Sequence, residues 1–109
     1  MGVLQSQPAA GLHQKYLGVK RDVLNELRLN FYGLYWVDAS ADVIHEVHAL
    51  LKKFEGAAQA RYANRTGAQR DVAKAQAEVS MTLEQLYELG QKRETITARL
   101  NAILNRGPF

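Results

Sequence analysis

The sequence predicts an all-α chain folded as a long antiparallel two-helix coiled-coil hairpin. Three observations lead there. Proline occurs only at Pro8 and Pro108, so the long interval between them lacks the strongest helix breaker. Alanine, leucine, glutamate, glutamine, lysine and arginine dominate that interval, and all favour helix. Apolar residues recur at seven-residue spacing on both sides of a single interruption near residue 65, the pattern that keeps one seam turned toward a partner helix.

Taken in order, residues 1–18 read as an irregular lead, punctuated by Gly2, Ser6, Pro8 and Gly11. A first helix is expected over about 19–63. Val23, Leu24, Leu27, Phe31, Leu34, Val37, Ile44, Val47, Leu51, Phe54 and Ala58 follow three- and four-residue steps, and Val37, Ile44, Leu51 and Ala58 are each seven apart. Gly33 and Gly56 weaken this helix, each by about 1 kcal/mol against alanine, and permit close helix approach.

A turn is expected at 64–67. Asn64 tolerates the left-handed backbone that ends helices. Thr66 and Gln69 have the spacing of a capping box, and Asp71 favours the positive end of the next helix dipole. The second helix should run over about 67–105, with Val72, Val79, Leu86, Arg93 and Leu100 seven apart and Ala75, Leu83, Leu89, Ile96, Ile103 and Leu104 beside them. Arg106-Gly107-Pro108 reads as its stop. Two such helices would each be on the order of 60 Å long. Phe31, Tyr32, Tyr35, Trp36, Leu50 and Tyr87 do not all fit one two-helix seam, so the hairpin is expected to need neighbours.

Composition narrows the function. The 109 residues are enough for one domain, and 47% hydrophobic content is ordinary for a folded chain. Net charge is +3 with both signs interspersed, which gives no basic arm for nucleic acid. Without cysteine, disulfides, thiolate metal sites and cysteine catalysis are excluded. Residues 1–14 show no signal-peptide pattern, and no apolar run approaches the roughly 20 residues of a spanning helix. As written, the chain is not expected to be exported or inserted by itself.

Candidate chemistry is sparse. His45 and His48 lie three apart with Asp42 one turn earlier, a spacing open to a transition metal, but a histidine pair on a helix is more often solvated or packed, so no metal is assigned. Tyr32, Tyr35 and Trp36 near Arg28 could stack on bases, yet Asp38 and Asp42 follow at once and no basic groove surrounds them; helix packing explains them better, and no nucleic-acid partner is expected. Ser6, Ser40 and Ser80 have no glycine elbow, and no phosphate-cradling loop exists. No enzyme and no cofactor is expected. Around the turn, Arg61, Arg65 and Arg70 stand with Asn64, Thr66, Gly67 and Asp71. Arginines at one helix end and an aspartate at the next start are favourable as caps alone.

A wider pattern runs through Arg61-Tyr62, Gln69, Asp71-Val72, Ala75-Gln76, Glu78, Ser80, Leu83, Leu86 and Leu89. It continues with Ala98-Arg99-Leu100-Asn101, Leu104-Asn105-Arg106 and Pro108, preceded by Phe31-Tyr32-Gly33-Leu34-Tyr35 and Val37-Asp38. In order and spacing this series, over roughly residues 20–108, resembles the α-helical hairpin of TolC-like outer-membrane efflux proteins, especially the branch serving heavy-metal exporters. The family has a glycine near the position of Arg65, two hairpin repeats, a signal sequence and β-barrel strands; this chain reads as one hairpin of such a protein.

The resemblance implies a passive conduit. Family hairpins pack side by side, in a trimer, as building blocks of a periplasmic α-barrel tunnel. Their turns meet a periplasmic adaptor that links the tunnel to an inner-membrane pump. On that basis Arg61, Asn64, Arg65, Thr66, Gly67, Arg70 and Asp71 become the expected adaptor-docking tip. The alternative is a stand-alone cytoplasmic coiled-coil module for oligomerisation. Weaker still is a helix lying on a membrane surface.

Overall fold

The computed structural model describes residues 2–106, with side chains from Ala10 onward. It is an all-α hairpin: α1 spans Gly2–Ala63 and α2 spans Gln69–Arg106, with no strand among the described residues. Gly107 and Pro108, expected to stop the second helix, lie outside them. The chain divides into two units, one formed by residues 1–34 and 96–109 and the other by residues 35–95.

In the second unit the seam residues of α1 are Val37, Ala41, Ile44, His48, Leu51, Glu55 and Ala58, all buried or half-buried and in alternating steps of four and three, with Ser40 half-buried beside them. On α2 they are Val72, Ala75, Val79, Thr82, Leu86 and Leu89, stepping likewise. These are the a and d positions of one heptad seam. Two cross-helix contacts mark its antiparallel register. His48 Nδ1 lies 2.8 Å from Thr82 Oγ1, and Arg93 Nε donates to Asp38 Oδ1 at 2.9 Å. The hydrophobic core is thin, with Val79 6% and Leu89 8% exposed beside Val37 at 2%.

In the first unit the seam is Val23, Leu27, Asn30 and Leu34 of α1 with Ile96, Leu100 and Ile103 of α2. Gly33 serves close approach here: a Cβ built on it would stand 3.3 Å from Ile96 Cδ1. Arg106 pairs with Glu26 at 3.7 Å, so α2 ends level with that residue. Upstream, α1 continues with Leu12, Tyr16, Leu17 and Val19 exposed.

The irregular lead expected at 1–18 is corrected: from Gly2 it belongs to α1. Nucleating a helix is costly while extending one is cheap. The cost of Gly11 is about 1 kcal/mol, and α1 also runs through Pro8, which removes one backbone donor from the helix.

The turn also differs in detail. Arg65, not Asn64, takes the left-handed backbone, with φ 62°. Thr66 N donates to Arg61 O at 2.8 Å and Arg65 N to Tyr62 O at 3.1 Å, which together make a Schellman cap with Arg65 at its left-handed position. Gly67 N shares the same Arg61 carbonyl at 3.1 Å. Gly67 is required by space, not by φ: a Cβ there would lie 2.9 Å from Arg61 Cβ. The capping box expected at Thr66 and Gln69 does not form. The Thr66 hydroxyl turns back to Arg61 O at 3.2 Å, and α2 starts at Gln69, two residues later than expected.

Ala68 therefore stands at the N-cap of α2 without a side-chain acceptor for the first free amides. Ala68→Ser is expected to stabilise the hairpin by about 1 kcal/mol, read as a higher thermal midpoint; an unchanged midpoint would show that these amides are already satisfied.

Candidate functional site

The tip is built by the Schellman cap just described. Because three donors converge on the Arg61 carbonyl, the chain reverses within the five residues 64–68. Arg61, Asn64, Arg65, Thr66, Arg70 and Asp71 are all exposed, and Gly67 is half-buried. What the fold brings together is the backbone of Arg61, Thr66 and Gly67; among the described residues none of the three arginines forms an ion pair. Beside the tip lies an open groove of about 300 Å³. Phe54, Ala57, Ala58 and Ala75 give it an apolar floor, and Arg61, Lys74, Asp71 and Glu78 alternate in charge around it. This arrangement offers a partner helix an apolar contact framed by both signs of charge.

A second feature runs along the side of α1. Trp36, Val43, Leu50 and Ala57 are seven apart, with Val47 and Phe54 between them at three- and four-residue steps. None belongs to the hairpin's own seam. Trp36, Val43 and Leu50 are 57%, 57% and 51% exposed. Lys92 sits over the Trp36 ring at 5.6 Å, so this stripe shares a face with the Lys92 side of α2.

The exposed apolar side chains Leu83 and Tyr87 lie elsewhere on α2. Leu83 is nine residues from Lys92, a rotation of about 180° at 3.6 residues per turn. The hairpin thus carries apolar side chains on two different faces. Phe31, Tyr32, Tyr35, Trp36, Leu50 and Tyr87, the side chains in excess of one seam, are all exposed.

The two histidines do not share a site. His45 is exposed, while His48 is half-buried against Thr82. The Thr82 hydroxyl has one hydrogen and donates it to Val79 O at 2.6 Å. It must therefore accept from His48, which places a proton on His48 Nδ1. Reading histidine by its ligand chemistry alone misses this seam role; the signal was its position seven residues after Ala41 and seven before Glu55. Arg93 was legible as a seam member, but its partner Asp38 was not, since Asp38 stands one residue off the heptad.

Asp38 is paired with Arg93, and Asp42 is exposed. No described helix is long and apolar enough to cross a membrane. Compared with family models, curated proteins and solved structures, the chain finds no match in any of the three.

Proposed function

We propose that this chain is a wall segment of the periplasmic tunnel in a trimeric TolC-like outer-membrane efflux duct. It acts as a passive conduit, and its tip docks a periplasmic adaptor joined to an inner-membrane pump. The observation that carries the reading is the stripe Trp36-Val43-Leu50 with Val47 and Phe54, exposed and in heptad phase outside the hairpin's own seam. Exposed apolar surface of that order and regularity marks a face meant for another helix.

Its counterpart, Leu83 and Tyr87, lies on a different face, so side-by-side copies meet through unlike surfaces. Contacts of that kind do not close on a pair; they continue until a ring or a fibre forms. A tunnel wall needs that geometry. The ordered series from Arg61 to Pro108 supports the family, and the alternating charge around the tip groove suits a docking helix.

Sedimentation velocity of the purified full chain tests the reading. The parent chain is expected to associate beyond a dimer with rising concentration. A chain carrying Trp36→Glu and Leu50→Glu should stay monomeric with unchanged helicity. A discrete dimer that buries the stripe in a four-helix bundle would favour the stand-alone coiled-coil module instead. At the tip, joint replacement of Asn64, Arg65 and Asp71 by alanine should abolish cross-linking to an adaptor encoded beside the gene; surviving cross-links would remove the docking assignment.

A further inference from the structure

A heptad seam has a weakness: the same steric pattern returns every seven residues, so sliding one helix by a heptad keeps apolar side chains opposed. In this hairpin such a slide would be about 10 Å along the axis. Such a slide would also move the turn by about three to four residues and open the cap on the Arg61 carbonyl, so the turn and the seam favour the same alignment. We propose that the His48–Thr82 layer, backed by the Asp38–Arg93 pair, is a register lock that selects one alignment of α1 and α2.

The chemistry discriminates sharply between alignments. In the observed one the His48 Nδ1–H is satisfied by Thr82 Oγ1 at 2.8 Å. After a slide of one heptad in either direction, the seam spacing puts Ala75 or Leu89 opposite His48, and neither side chain can accept a hydrogen bond. The half-buried ring would lose its partner in the seam and would have to turn to water or carry its proton on Nε2 instead. Thr82 is indifferent, since its own hydrogen stays on Val79 O in any alignment. His48 is therefore the side that enforces the register.

Arg93 adds a second check. It occupies a seam position, and its guanidinium reaches the exposed Asp38 carboxylate at 2.9 Å. A slide would present the neighbourhood of Phe31 or His45 in place of Asp38. The two checks sit ten and eleven residues apart on α1 and α2, so both are met in only one alignment. A single polar layer in an apolar seam is the best-attested device for specifying register, and it does so at some expense in stability.

The chain has no cysteine, which makes the test direct. Glu46→Cys and Glu84→Cys place spin labels on exposed positions at the level of the lock, and dilution with unlabelled protein removes distances between copies. Pulsed electron-resonance distances are measured in this background and again with His48→Leu, Thr82→Val and Arg93→Leu added. The parent should give one narrow distance. The apolar-seam chain should keep its helicity, melt no lower than the parent, and show at least one additional, longer distance population. One unchanged narrow distance in the apolar-seam chain would overturn the proposal. Loss of helicity in that chain would overturn it too, because the polar layer would then be sustaining the fold and not choosing its alignment.

Discussion

Leu100→Asp is expected to melt the hairpin. Leu100 is 6% exposed in the seam of the first unit. Its replacement removes about 2–3 kcal/mol of apolar burial. Placing a carboxylate in the same spot adds a desolvation cost of similar size or more, so a total above about 4 kcal/mol is expected. Small domains hold only about 5–15 kcal/mol in all, and two helices with so thin a core belong at the low end. Far-UV circular dichroism should show most of the helical signal lost at room temperature. Leu104→Asp is the control. That residue is one turn further along α2 and 57% exposed, so the change should stay within about 0.5 kcal/mol. Equal losses at both positions would mean that the seam does not hold the hairpin together.

The second large effect is expected at the turn, where two neighbouring substitutions should act in opposite directions. Gly67→Val puts a branched side chain where even a Cβ would stand 2.9 Å from Arg61 Cβ. The near atom belongs to the base of Arg61, close to the backbone, and cannot swing aside. Relief requires the Schellman cap to open, and a cost of about 2–3 kcal/mol is expected. Arg65→Gly should do the reverse. Arg65 holds φ 62°, a region that strains any side chain with a Cβ; glycine there should gain about 1 kcal/mol. Denaturant midpoints of the two variants should fall on either side of the parent. If both fall below it, Arg65 contributes contacts that outweigh its backbone strain.

The repeating part of the architecture was legible because one period governs it. Val37, Ile44, Leu51 and Ala58, with Val72, Val79, Leu86 and Leu100, could be read from spacing since a helix presents each of them to the same neighbour. What spacing does not encode was less legible. The left-handed turn residue went to Arg65 over Asn64, because three donors on the Arg61 carbonyl fix the geometry and override single-residue preference. Thr66 could not cap the helix ahead, because α2 begins only at Gln69 and Ala68 takes the N-cap position. Residues 1–18 read as irregular because Gly2, Ser6, Pro8 and Gly11 were weighed as punctuation, when an existing helix extends at modest cost. At the tip, the sequence named the exposed residues but not the adjoining groove, since Phe54 and Lys74 come from opposite helices far apart in the chain.

Trp36 is the sole tryptophan, and it stands on the α1 side stripe with Lys92 across its ring. The molecule thereby carries its own optical gauge of crowding. An indole facing solvent emits at long wavelength and is open to quenching by dissolved iodide. Covered by a neighbouring copy, it would emit further to the blue and escape the quencher, while Tyr87, exposed on another face, would respond differently.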